Sequence, residues 1–87
     1  MPTTASFDEP ITVVQVDGAG TEDVLVADDG RVYTGTEDGN IHEIDPKART
    51  SRVLANTGGR PFGLEWLPNG HLVVCDTRRG VLEVTAV

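Results

Sequence analysis

The hydrophobic residues of this chain fall in short runs that alternate with polar residues and are separated by turn residues. The runs span 23–27, 31–36, 40–44 and 51–55 in the first half and 62–67, 71–76 and 81–84 in the second. Turn signals lie between them at Asp28-Asp29-Gly30, Asp38-Gly39 and Pro68-Asn69-Gly70, where glycine permits the positive φ of tight hairpins. No window of eleven residues keeps a helical period without a glycine or proline. The pattern predicts an all-β meander.

The chain repeats itself with a period of forty residues. A shift of forty superposes apolar on apolar positions and turn glycines on turn glycines without a gap. The superposed pairs include Gly30 with Gly70, Val32 with Leu72, Ile41 with Val81, Glu43 with Glu83, and Ile44 with Val84. Forty residues is the spacing of four-stranded β-propeller blades. We therefore favour two propeller blades over an ordinary two-sheet sandwich, which eight strands would also allow.

The second copy ends one strand short, and the segment 11–16 is the candidate for the missing strand. Within the unit 11–87, we predict a blade over 18–56 and a partial blade over 58–87, preceded by a flexible tail over 1–10. In a two-blade chain, the two ends cannot meet around a ring. Segment 11–16 is therefore predicted to complete the second blade of a neighbouring subunit, and three copies would close a six-bladed propeller. The alternative is a fragment with two exposed sheet edges.

Composition narrows the classes of partner. Fourteen acidic residues against seven basic ones argue against nucleic acid. Residues 1–45 carry a net charge of −10 and residues 46–87 one of +3, which favours head-to-tail self-association. No apolar stretch is long enough for a membrane helix, and the first ten residues lack a signal-peptide pattern, so we expect a cytoplasmic protein that does not bind membranes. Cys75, the only cysteine, cannot form an intrachain disulfide and is expected to be buried in a strand.

Two consecutive stretches of the sequence resemble blades of strictosidine synthase-like propellers. The first runs over 21–41 and contains YTG at 33–35. The second combines GRPFGLEW at 59–66 with LVVCD at 72–76. This superfamily is similar to the gluconolactonase, senescence marker protein and paraoxonase propellers. The resemblance implies a six-bladed β-propeller with a divalent cation, often calcium, on its axis and hydrolysis of lactones or phosphate esters.

The resemblance also implies one metal ligand in this chain. The first-blade glutamate that begins the innermost strand is a ligand in those relatives, and Glu22 matches it, although Thr21 replaces the usual proline. The other ligands and the late-blade catalytic glutamate have no counterpart here. A single carboxylate cannot supply the six to eight oxygens that calcium takes, so a cation would need Glu22 from several copies. Asp23 is a weaker candidate, since its side chain should point to the other face.

Other chemistry-bearing residues are expected to be structural. Asp76 should accept backbone N–H bonds in the turn that follows it. His42 and His71 lack metal-ligand spacing and are expected on the surface, and Trp66 should pack between the blades. Catalytic residues are unknown, and whether the chain is an enzyme is left open. Two functions remain. One is a propeller module that binds a small molecule or a protein, or is purely structural. The other, implied by the resemblance, is an enzyme with its site on the propeller axis, either a metal-dependent hydrolase of lactones or esters or a strictosidine synthase-like enzyme.

Overall fold

A computed structural model describes residues 11–87, and these form seven strands and no helix. The strands are β1 (Val24–Val26), β2 (Val32–Gly35), β3 (Asn40–Asp45), β4 (Thr50–Asn56), β5 (Pro61–Trp66), β6 (Leu72–Asp76) and β7 (Gly80–Val84). They build two antiparallel sheets, one in the order β1-β2-β3-β4 and one in the order β5-β6-β7. The predicted all-β class is confirmed. The predicted tail over 1–10 lies outside the described residues.

The hairpin turns use the residues that the sequence pattern indicated. Gly30, Gly39 and Gly70 have φ angles of 90°, 97° and 87°, in the left-handed region that favours glycine. The turn between β3 and β4 differs, because Arg49 adopts φ 57° there. The carboxylate of Asp45 stabilises this turn by accepting two of its backbone N–H groups. Local turn chemistry thus accounts for the hairpins of both sheets.

Strands related by the forty-residue period occupy equivalent places in their sheets. β2 and β6 begin at Val32 and Leu72, and β3 and β7 begin at Asn40 and Gly80. The first strands of the two sheets, β1 and β5, contact each other. Each sheet is therefore an antiparallel meander, and the first strands of the two meanders lie next to each other. This arrangement is consistent with two propeller blades.

The hydrophobic core lies between the two sheets. The first sheet contributes Tyr33 and Ile41, and the second contributes Leu64, Leu72 and Val74. All five are at least nine-tenths buried. Because side chains alternate along a strand, each sheet uses only one face for this core. The opposite faces carry the exposed Val24, Val26 and Val81, although His42 and Ile44 on the first sheet are buried.

Trp66 joins the two sheets. Its ring meets that of Tyr33 edge to face, with 5.2 Å between ring centres and 87° between planes. Its indole N–H donates to the carbonyl of Val26, at 3.2 Å. The prediction that Trp66 packs between the blades is confirmed.

Two expectations about strands differ from the structure. Residues 11–16 form no strand within the single chain, although Val14 and Val16 are half-buried. Their predicted pairing with a neighbouring subunit stays a prediction. The expectation of a buried Cys75 is wrong for the single chain, since Cys75 is exposed. It pairs with Gly63 and Val81 on the face of the second sheet that points away from the first sheet.

Candidate functional site

An open groove of about 440 Å³ runs along the outward face of the first sheet. Val14 and Val16 line one side, and Val24 and Ile44 line the sheet side. Glu22, the residue that sequence reasoning proposed as a metal ligand, also lines this groove. The groove therefore combines an apolar surface with a carboxylate just before β1.

Glu22 by itself does not make a calcium site. It is exposed, and within residues 11–87 no three His, Cys, Asp or Glu side chains are close enough to share a metal ion. Calcium takes six to eight oxygen ligands. The described residues of one chain therefore do not fit this ion. A calcium site that uses Glu22 would need ligands from more than one copy of the chain.

Asp23, which directly precedes β1, connects the first strands of the two sheets, β1 and β5. One carboxylate oxygen accepts the N–H of Val24 at 2.9 Å, and the other accepts the N–H of Leu64 in β5 at 2.8 Å. The Asp23 carbonyl accepts the hydroxyl of Thr34 at 2.7 Å. Sequence reasoning ranked Asp23 as a minor ligand candidate and missed this role. No local signal marks it, because its partner lies forty-one residues away.

Asp76 anchors the segment that links the first sheet to the second. Its carboxylate accepts the hydroxyl of Thr57 at 2.6 Å and the backbone N–H groups of Arg60, Arg78 and Arg79 at 3.0, 2.9 and 2.9 Å. Burial acts to raise the pKa of Asp76, but these four hydrogen bonds outweigh it and hold the pKa well below its usual range. The predicted structural role of Asp76 is confirmed.

His42 is buried, so the expectation of a surface residue is wrong. Only 1% of it is exposed, and its Nε2 lies 2.9 Å from the hydroxyl of Thr36. That hydroxyl in turn donates to Asp38 at 2.6 Å, and this bond, followed by one from the Asn40 N–H, lowers the pKa of Asp38. The imidazole can be buried because Thr36 supplies a polar partner. This chain of hydrogen bonds therefore runs from the buried His42 through the buried Thr36 to Asp38 at the surface.

His71 stays at the surface, as expected, and pairs with Glu83. Its Nδ1 lies 2.7 Å from a Glu83 carboxylate oxygen, and one third of the His71 side chain is exposed. Hydrogen bonds from His71 and then from Asn69 lower the pKa of Glu83. The pair links the residue before β6 to the neighbouring strand β7. Each side chain is therefore held by the other, and its position requires no bound ligand.

A third polar chain crosses the first sheet. The Tyr33 hydroxyl donates to Glu43 at 2.7 Å, and Arg52 Nε donates to the other Glu43 oxygen at 2.7 Å. Burial, and then the bond to Glu43, raises the pKa of Tyr33 to about 12. Burial acts to raise the pKa of Glu43, but the bonds from Tyr33 and Arg52 lower it overall. The three side chains thus form a satisfied structural network.

Comparison with known proteins adds the family to this geometry. Residues 11–44 match the family model described as "Strictosidine synthase-like, N-terminal". The protein named STRICTOSIDINE SYNTHASE-LIKE 6 of Arabidopsis thaliana is 35% identical over 69 residues. Over these residues the chain is similar to the strictosidine synthase-like family. The resemblance of its two blade stretches to that family is thereby confirmed.

The chain spans less than a fifth of the length of these relatives. The Arabidopsis alignment covers 74% of this chain and 19% of the relative. Adipocyte plasma membrane-associated proteins of Danio rerio and Salmo salar are 40% and 37% identical over 68 and 70 residues. These alignments cover 63% and 64% of this chain and 16% of each relative. No solved structure matches the chain significantly. In its described part, no helix is long and apolar enough to cross a membrane.

Proposed function

We propose that this chain is a β-propeller module that acts by self-association, as a binding or structural unit. Three copies, each supplying two blades, would close a six-bladed ring with a centre able to receive a small molecule. The observation that carries the proposal is the pair of outward sheet faces. Each carries exposed apolar side chains in the single chain, whereas the two inward faces bury each other.

The exposed apolar side chains on these faces support self-association. Val24 and Val26 on the first sheet are 61% and 59% exposed, and Val81 on the second sheet is 74% exposed. Exposed apolar side chains grouped on a sheet face are typical of an interaction site. The acidic first half and the basic second half favour contacts between unlike ends of two copies.

Native mass by light scattering tests this proposal directly. One chain has a mass of 9.3 kDa, and three would have about 28 kDa. We expect the larger mass across a range of protein concentrations, with a loss of mass on dilution. A folded species of single-chain mass at every concentration would refute the ring.

Cation binding by Glu22, coupled to hydrolysis of lactones or related esters, is the second candidate. It is favoured by the position of Glu22, exposed just before β1. In a ring, the copies of Glu22 would approach one another near the axis, where clustered carboxylates either bind a cation or raise one another's pKa. Because the described residues of one chain do not fit calcium, this function depends on the assembly.

Calcium titration of the associated protein by calorimetry, alongside a lactone hydrolysis assay, tests the second candidate. Glu22→Gln should abolish calcium binding without changing the native mass. Asp28→Asn is the matched control, since Asp28 is also exposed but lies in the β1–β2 turn, at the opposite end of β1 from Glu22. Equal calcium binding by both variants would rule out Glu22 as the ligand.

A further inference from the structure

Each sheet has one face in the junction between the two sheets and one face that is turned away from it. In the first sheet, the outward face comprises Val24, Val26, Val32, Thr34, His42 and Ile44, which pair across its strands. In the second sheet, the outward face comprises Gly63, Glu65, Val73, Cys75, Val81 and Glu83. We call these the first outward face and the second outward face.

The forty-residue period relates each outward face to a face that is already buried. Shifted by forty, the first outward face becomes the inward face of the second sheet, with Leu64, Leu72 and Val74 at its centre. Shifted back by forty, the second outward face becomes the inward face of the first sheet, with Tyr33 and Ile41. The first and second outward faces are thus equivalent, by the forty-residue period, to the two faces that meet in the junction between the sheets.

We propose that the second outward face of one copy stacks on the first outward face of the next copy, in the geometry of the junction between the two sheets. The proposal rests on the self-associating module proposed above and specifies its interface. The groove beside Val24 and Ile44 would then be filled by the second sheet of the neighbouring chain, notably by Val73 and Val81. Such a contact is head to tail, so it can close into a ring.

The same forty-residue relation also assigns a partner to segment 11–16. A shift of forty places it on 51–56, inside β4, which pairs with β3 and then leads into β5. By the same relation, segment 11–16 should pair with β7 of the copy whose second sheet stacks on its own first sheet. The β3–β4 pairs Glu43 with Arg52 and Ile44 with Ser51 fix the register. They translate into Glu83 with Thr12 and Val84 with Ile11 between copies.

Polar links of the intrachain junction are missing from the contact between copies. Asp23, which bonds to Leu64, corresponds to Gly63, and Trp66, which bonds to the Val26 carbonyl, corresponds to Val26 itself. The contact between copies therefore depends on aliphatic surface. We expect it to be weaker than the junction within the chain, because the junction adds these bonds to its apolar contact.

One place in the junction between the two sheets shows where the contact between copies can be trapped covalently. A Cβ atom added at Gly35 would lie 2.8 Å from the Cβ atom of Pro61. Their forty-residue equivalents are Cys75 of one copy and Thr21 of the next. Two Cβ atoms in a disulfide are typically about 3.8 Å apart, so an opening of the interface by about 1 Å suits the bond. Both residues are exposed in the single chain.

The test is oxidation of the Thr21→Cys variant, followed by electrophoresis without reducing agent. We expect covalent dimers and trimers that depend on Cys75, so the Cys75→Ser/Thr21→Cys protein should stay uncrosslinked. Ala48→Cys is the matched control, since it places an exposed cysteine in the turn between β3 and β4, outside both outward faces. A second pair, Thr12→Cys with Glu83→Cys in the Cys75→Ser background, tests the strand register in the same way.

Native mass separates failure of this interface from failure of the proposed function. Association without crosslinking in either cysteine pair would overturn the proposed interface and leave the module intact. Crosslinking of Thr21→Cys that persists without Cys75 would mean that like ends meet, which also overturns it. A single-chain mass at all concentrations would overturn both proposals. Crosslinking in both pairs, but not in Ala48→Cys, would support the interface and its register.

Discussion

Replacing Thr57 by valine should weaken the link between the two sheets. The hydroxyl of Thr57 is buried, donates to Asp76 at 2.6 Å and accepts the N–H of Gly59 at 3.1 Å. Thr57 belongs to the segment that carries the chain from β4 to β5, and Asp76 ends β6. Valine has nearly the same shape but cannot donate, so Asp76 would lose one of the four hydrogen bonds that stabilise its charge.

The expected loss follows from the charge of the acceptor. A hydrogen bond to a charged group contributes about 1.5–3 kcal/mol to stability. For a protein of this size, the slope of unfolding free energy against urea is about 1.5 kcal/mol per M. The urea midpoint of Thr57→Val should therefore fall by roughly 1–2 M. Trp66, the only tryptophan, lies at the sheet junction and reports unfolding by its fluorescence.

Thr77→Val is the matched control for this experiment. Thr77 is exposed, and its hydroxyl makes only a 3.4 Å contact with the Arg60 carbonyl. Its replacement should change stability by less than about 0.5 kcal/mol. All proteins are compared at one concentration, since association itself stabilises. Equal midpoints for Thr57→Val and Thr77→Val would refute the importance assigned to the Asp76 anchor.

Two further predictions concern the inward and outward faces. Tyr33, the only tyrosine, has a pKa raised to about 12 by burial and by Glu43, so its absorbance change at 295 nm should come near pH 12, and in Glu43→Gln at lower pH. Because the pKa of Tyr33 in the folded protein exceeds the unfolded value of about 10, the protonated Tyr33 hydroxyl contributes fully to stability below about pH 10, and this contribution is lost as the pH rises towards 12. Titration of Tyr33 near pH 10 in the folded protein would contradict the structure. Glu65 lies on the second outward face where the repeat has Leu25, so Glu65→Leu should tighten self-association at least about tenfold, as measured by light scattering on dilution, whereas Glu65→Gln should have a smaller effect. Unchanged association in Glu65→Leu would count against the stacked contact between copies.

The elements of the fold were predictable because each depends on neighbours in the sequence. Tight hairpins need glycine at positive φ, and Gly30, Gly39 and Gly70 stand at those positions. Strand residues alternate between faces, which placed Trp66 correctly. The role of Asp76 was also local in part, since two of its bonds go to the turn that follows it.

The candidate site was less predictable because its environment comes from distant parts of the chain. Asp23 gains its role from Leu64 in the other sheet, which no pattern around Asp23 reveals. His42 was expected at the surface, but the hydroxyl of Thr36 gives it a buried partner. Glu22 was found only through resemblance to a family, and the described residues of one chain do not assemble further ligands around it.

The sequence by itself therefore determined the seven strands of the two sheets, their turns and the forty-residue period, since these follow from backbone conformation and alternation along a strand. It did not determine the conformation of residues 11–16, which form no strand within the single chain. Only the tertiary structure decided which faces are covered. It buries one face of each sheet against the other and leaves Cys75 and Val81 exposed on the second sheet. The physical reason is that alternation separates the two faces of a strand but does not say which face meets a partner; that depends on where the next sheet packs.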